Sequence, residues 1–196
     1  MDKSFNHYRI FFFIVALMIL AGCARKPIGI VSTQTQVPLP TESILVQGVK
    51  PTTYEVVFIK GRIVNGKFKK AKHVGIIVGS PNGRYLVGKA QAGDVVALIM
   101  FLRPKSNNGQ NISFRFCGKN VLVFTVPEGK VVYLGDISIK ETGRNSFNIN
   151  YSSDFNAAKE YIDANYPALR GRLDKIAANV MQYECPPAYE YIMIYK

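Results

Sequence analysis

The sequence predicts a mainly β domain, an antiparallel sandwich or barrel, followed by two short amphipathic helices. Three observations carry this reading. From Ile44 to Tyr151, short β-branched and aromatic runs recur at intervals of about ten residues. Glycine, proline and asparagine punctuate nearly every interval. After Tyr151 the apolar residues change from alternation to helical spacing.

The elements follow in order. A first run begins at Ile44, and Tyr54 to Ile59 (YEVVFI) is the second. Val64-Asn65-Gly66-Lys67 carries the Asn-Gly pair of a two-residue hairpin. Val74 to Val78 is apolar and β-branched, and Ser80-Pro81-Asn82-Gly83 turns the chain into Tyr85-Leu86-Val87. Val95 to Leu102 is a long apolar run closed by Pro104 and the polar stretch Ser106 to Asn111. Ile112 to Phe116 alternates, Val121 to Val126 and Val131 to Ile139 flank the turn Pro127-Glu128-Gly129, and Phe147 to Tyr151 alternates again. Ser153 can cap a helix with Asp154 in its first turn and Phe155, Ala158 and Ile162 on one face. Tyr166-Pro167 ends it, and Pro167 can open a second helix, where no amide hydrogen is needed. Leu169, Leu173, Ile176 and Val180 form the face of that second helix, so the helices occupy about 153–181, and Tyr189 to Tyr195 reads as a closing strand.

The chain ahead of this domain has a different character. Lys3 and Arg9 precede an unbroken apolar run from Ile10 to Leu20, which ends in Leu20-Ala21-Gly22-Cys23. That is the anatomy of a secretory signal. The run is too short for a bilayer core, which needs about 20 residues. The stretch resembles the lipobox of bacterial lipoproteins. The resemblance implies that residues 1–22 are a signal peptide, that the Cys23 sulfur receives diacylglycerol, and that the new amino terminus is acylated, for example with palmitate. Residues 23–42 then form a flexible tether, with Ser32 to Gln36 polar and Pro27, Pro38 and Pro40 discouraging regular structure. Residues 43–196 form a single domain. In Gram-negative lipoproteins an Asp after the lipidated Cys holds the protein at the inner membrane. Ala24 stands there instead, which in a Gram-negative host implies the outer membrane, on its periplasmic or surface face.

Charge and cysteines narrow the partners. The chain has 25 Lys and Arg against 13 Asp and Glu, and removing the leader with Lys3, Arg9 and Asp2 leaves +11. At a bacterial envelope the available polyanions are anionic lipids, lipopolysaccharide and other anionic glycans. Nucleic acid, the usual partner of a basic domain, is set aside by export. Lys60, Arg62, Lys67, Lys69, Lys70 and Lys72 crowd the Asn-Gly hairpin and form either an anion-binding face or a solvated one. Cys117 and Cys185 are an even pair in an oxidising compartment. They are either two buried thiols or a disulfide closing a loop of about 69 residues, worth on the order of 4 kcal/mol.

Catalytic and cofactor motifs are sparse. The Gly-Lys pairs at Gly66, Gly88, Gly118 and Gly129 lack the following Ser or Thr of a phosphate-binding loop. His73 is the one histidine after the leader, the cysteines lack metal-ligand spacing, and no Gly-x-Ser-x-Gly turn is present. No cofactor is implied. His73-Val74-Gly75-Ile76-Ile77-Val78-Gly79 resembles the His-bearing strand of papain-like cell-wall amidohydrolases, which implies Cys117 or Cys185 as the nucleophile. Cys117-Gly118 lies between two predicted strands and Cys185 precedes Pro186-Pro187, so neither has the helix N-terminus that lowers a thiol pKa. This hydrolase is the alternative reading.

A further likeness covers more of the chain. Val87-Gly88-Lys89, Ala92-Gly93-Asp94, Phe116-Cys117, Phe124 to Asp136 (FTVPEGKVVYLGD) and the Ala157-to-Leu169 segment with Tyr166-Pro167 resemble an uncharacterised family of bacterial lipoproteins, over roughly Tyr54 to Leu169. Pro-x-Gly before a Tyr-bearing strand is also similar to prealbumin-like sandwich modules. The resemblance implies a β-sandwich with C-terminal helices and no catalytic residues. It therefore favours a lipid-anchored envelope protein with a binding or structural role.

Overall fold

The computed structural model describes residues 37–71, 76–79, 81–103, 112–143 and 146–184. Sheet I contains β1 (Glu42–Lys50), β5 (Tyr85–Gln91), β9 (Val131–Gly143), β10 (Ser146–Ser152) and β11 (Leu173–Lys175). Its order is β10-β9-β1-β5, with β11 also on β9. Sheet II contains β2 (Glu55–Val64), β3 (Lys67–Lys70), β4 (Ile76–Gly79), β6 (Val95–Arg103), β7 (Ile112–Arg115), β8 (Asn120–Thr125) and β12 (Asn179–Gln182). Its order is β12-β8-β6-β2-β3, with β4 on β2 and β7 on β6. A bridge between Phe68 and Tyr183 joins β3 to the end of β12, so sheet II curls towards a barrel. The mainly β fold is as the sequence predicts.

The strand ladders of sheet II are antiparallel, while the bridge of Phe68 with Tyr183 is parallel. In sheet I, β1 and β11 both run parallel to β9. Parallel neighbours require a long crossover, and the greater part of sheet II lies between β1 and β9 in the chain. Patterns of adjacent runs and turns do not encode such a pairing.

Between the sheets lies the main core, with Leu45, Val49, Leu86, Leu134 and Ile137 of sheet I facing Val56, Phe58, Leu98, Phe101 and Phe124 of sheet II. The outer face of sheet I is covered as well. There α1 (Phe155–Asn165) lays Ala158 and Ile162 on Ile44, Val46, Tyr85, Val87, Val131 and Tyr133. With both faces covered, β1 is buried from Ser43 to Val49 instead of alternating between buried and exposed. Asp154, not Ser153, caps α1: its Oδ1 accepts a hydrogen bond from the Ala157 amide at 3.2 Å.

The second predicted helix is absent from the described residues. Pro167–Leu169 is a single 3-10 turn, Gly171 turns the chain at φ +71°, and the strands β11 and β12 follow. Leu169 and Leu173 do join the core beneath α1. Val180, placed on the same buried face by helical spacing, is 57% exposed. The edges of β9 and β8 offer unpaired backbone groups, and pairing there outweighs a weak helical period. The Asn-Gly hairpin is present as predicted, with Asn65 and Gly66 both at positive φ, the geometry that a two-residue primed turn requires. The predicted leader, most of the tether and the closing strand from Tyr189 to Tyr195 lie outside the described residues.

Candidate functional site

The basic hairpin comes first, because the sequence points to it. Arg62 faces Lys69 and Val64 faces Lys67 across β2 and β3. Strand alternation therefore places Lys60, Arg62, Lys67 and Lys69 on one face, and Lys70 on the other with the buried Phe68. Two of the four cations are already engaged. Lys60 pairs with the buried Asp94, and Lys69 pairs with Glu184 at 2.7 Å. Arg62 and Lys67 are exposed and make no ion pair among the described residues. Lys72 lies outside the described residues. The cationic face is thus narrower than a count of lysines suggests.

One turn links this hairpin to the start of the domain. The Thr41 carbonyl accepts a hydrogen bond from Ala92 at 3.0 Å, and Asp94, two residues further on, holds Lys60. Thr41 precedes β1, so the chain leading from Cys23 joins the domain beside the base of the hairpin.

Of the sulfur and imidazole candidates, Cys117 alone is described. It is disulfide-bonded, so it holds no thiolate for nucleophilic chemistry. Cys23, His73 and Cys185 lie outside the described residues. Among the described residues no three His, Cys, Asp or Glu side chains gather as a metal site.

A second site was not anticipated. Beyond the area covered by α1, the outer face of sheet I holds a cavity of about 400 Å³ lined by Lys50, Thr52, Arg84, Asp136, Ser138 and Ser152, among others. A bulge creates it. Val46 pairs with Tyr133, but Gly48 pairs with Asp136, so β9 carries one extra residue. That residue includes Gly135 at φ +106°, a value open to glycine. Tyr133 faces outward and Leu134 inward. Without the extra residue, alternation would send Asp136 towards sheet II. Gln47 fastens the bulge by donating from Nε2 to the Gly135 carbonyl at 2.7 Å. Gly48 makes room, because a Cβ there would lie 1.7 Å from Asp136 Oδ1.

The electrostatics of the cavity are mixed. Asp136 is 7% exposed, and its Oδ2 accepts from Arg84 Nη2 at 3.0 Å. Arg84 also reaches Asp154 at 3.6 Å and lies 5.5 Å from the centre of the Tyr85 ring. Burial, then the charge of Asp136, pushes the Tyr85 phenol above its ordinary range. Burial chiefly raises the Tyr133 phenol too, and its hydroxyl accepts from the Asp154 amide at 2.9 Å. Tyr133 is near enough to Asp136 for the carboxylate to add to that rise. Even so, no hydrogen bond of normal geometry reaches Asp136 Oδ1, Tyr85 Oη or Gln47 Oε1.

A signal for this site does exist in the sequence. Gln47 interrupts ILVQGV and Asp136 interrupts VVYLGDISI, and a polar residue inside an apolar strand is costly unless it is partnered. Compared with models of protein families, with curated proteins and with solved structures, the chain finds no match.

Proposed function

We propose that this chain is a bacterial lipoprotein, anchored through lipid on Cys23, whose β-rich domain has a binding or structural role at the envelope and meets anionic envelope components through the hairpin. The observation that carries the reading is the adjacency of Thr41 and Lys60 through the Ala92–Asp94 turn. A chain tethered at Cys23 would leave the membrane and join the domain at the base of its basic hairpin. The 18 residues from Ala24 to Thr41 span about 60 Å at most. A contact already held that close needs little intrinsic affinity, because the tether supplies a high local concentration.

The anchor is tested by replacing Cys23 with serine, which offers no sulfur for the thioether. Growth with a labelled fatty acid should mark the wild-type chain and leave Cys23→Ser unmarked. Equal labelling would overturn the lipoprotein reading.

The hairpin is tested with anionic vesicles and a leaderless Cys23→Ser version of the protein. Each basic residue near an anionic surface contributes about 1 kcal/mol. Arg62→Gln with Lys67→Gln should therefore weaken co-sedimentation by roughly thirtyfold at low salt, since 1.4 kcal/mol is about a factor of ten. Raising the salt towards 1 M shortens the Debye length to about 3 Å and should abolish the contact in both versions. Binding that is unaffected by salt would reduce the hairpin to a solvated face.

A further inference from the structure

We infer that the end of the domain nearest the tether seats on an anionic phospholipid bilayer, with Leu39 and Ile63 entering the boundary between headgroups and acyl chains. The inference rests on the hairpin reading above and goes beyond it, because it assigns the partner and fixes how the domain stands on it.

Strand register defines this end. In sheet I, Glu42 pairs with Gln91 and Ile44 with Val131, which also pairs with Leu173. In sheet II, Val95 pairs with both Gly61 and Thr125. The turns at 92–94 and 127–130 connect these two rows and are bonded to each other through Val126, so both sheets finish on one side of the domain. The hairpin reaches past that side: beyond Gly61, β2 keeps only β3 as a strand partner.

Apolar exposure is concentrated here. Of the five large apolar side chains exposed among the described residues, Val37, Leu39 and Ile63 lie at this end, Leu39 at 56% and Ile63 at 44%. Isolated surface apolar residues are ordinary, but these stand among cations. Arg62, Lys67 and Arg172 are exposed and make no ion pair among the described residues. Arg172 directly precedes Leu173 and so stands at the same level. Lys60, Lys89 and Lys130 are engaged by Asp94, Glu42 and Asp174, and Glu128, also exposed, opposes the free cations. A glycan would use the cations and leave Leu39 and Ile63 in water. A bilayer offers phosphates and acyl carbons together. Ile63 and Arg62 are neighbours in β2 and point to opposite faces of the hairpin, so a hairpin entering tip first presents both to the headgroup layer. The basic side chains can then lay their stems along the apolar boundary and keep their charges at the phosphates.

The chain has no tryptophan, so Leu39→Trp and Ile63→Trp each place a single reporter at this end. Tyr151→Trp is the control: Tyr151 is exposed too, but it pairs with Ile137, opposite Val49, about 23 Å along β1 from Glu42. Each full chain is reconstituted with vesicles of phosphatidylglycerol and phosphatidylcholine whose acyl chains carry bromine. All three chains share one leader and one ring, so a difference between them reports position. Positions 39 and 63 should emit at shorter wavelength than position 151 and be quenched several-fold more strongly. Adding Arg62→Gln, Lys67→Gln and Arg172→Gln together should lower the ratio of seated to unseated domain by roughly a hundredfold and return both reporters to water. Vesicles of phosphatidylcholine alone should do the same. A ring that stays in water at position 39 or 63 would overturn the seated orientation. The hairpin reading survives that result if Arg62→Gln with Lys67→Gln still weakens salt-dependent co-sedimentation, and falls with it otherwise. Equal quenching at position 151, or quenching at 39 and 63 that persists without the three cations, would also overturn the proposal.

Discussion

Replacing Phe101 with alanine is expected to destabilise the domain by about 3–5 kcal/mol. Phe101 is fully buried in β6. Its ring stacks on Phe114 at 4.7 Å and on Tyr54 at 5.3 Å, and meets Phe147 edge-on at 4.9 Å. Phe147 belongs to β10 of sheet I and the others lie in or beside sheet II, so this cluster fastens one sheet to the other. Aromatic pairs contribute about 0.5–1.5 kcal/mol each beyond the area they bury, and one truncation here breaks several. The polar rim adds to the cost. Tyr54 donates to Glu141 Oε1 at 2.6 Å, Arg103 holds Glu141 Oε2 at 2.5 Å, and burial, with Glu141 assisting, pushes the Tyr54 phenol up to about 12. Natural domains are stable by only about 5–15 kcal/mol. Urea unfolding followed by circular dichroism measures the change, since the chain has no tryptophan. A loss below about 1.5 kcal/mol would mean that the sheets are held together elsewhere.

What the sequence makes legible depends on how far apart the interacting residues lie. The Asn65-Gly66 turn is written in two adjacent residues, and the structure forms it as read. The helix at Phe155–Asn165 is equally local, with Ala158 and Ile162 four apart on its buried face. The parallel pairing of β1 with β9 joins segments more than eighty residues apart, and no local pattern announces it. Leu173 and Val180 show the opposite failure: a local helical period was present, but the edges of β9 and β8 decided their structure.

The candidate sites divide in the same way. A run of lysines is conspicuous in sequence, but the partners that engage Lys60 and Lys69 are Asp94 and Glu184, and each is remote from the hairpin in the chain. Only the fold leaves Arg62 and Lys67 as the exposed pair. The cavity was harder to see, because its parts come from β1, β9, β10 and the turn before β5, and the decisive element is one extra residue in β9. Gln47 and Asp136 could have been flagged as polar intruders in apolar strands, but the bond of Gln47 to the Gly135 carbonyl and the seat of Asp136 against Gly48 are matters of register.

Joining Cys117 to Cys185 should make the C-terminal segment a covalent part of the domain, and removing the bridge should cost on the order of 4 kcal/mol for a loop of about 69 residues. Cys117 is disulfide-bonded, and its partner lies outside the described residues. The choice of Cys185 rests on the pairing of the residues just before it. β12 pairs antiparallel with β8, ending at Gln182 opposite Asn120. Beyond that pair the Tyr183 amide donates to Lys119 at 2.9 Å and the Gly118 amide donates to Tyr183 at 3.0 Å. The chain is thus bonded beside Cys117, at Gly118, only two residues before Cys185. Cys23 is the remaining cysteine, and lipid on its sulfur would exclude it. In the Cys23→Ser chain, a thiol probe applied after denaturation without reductant should find no free thiol, and peptide mapping should return the 117–185 cross-link. Cys117→Ser with Cys185→Ser should then unfold at markedly lower urea with its native circular dichroism unchanged. A reactive thiol at Cys185, or a cross-link between two chains through Cys117, would sink the pairing and return a free late cysteine to the hydrolase alternative.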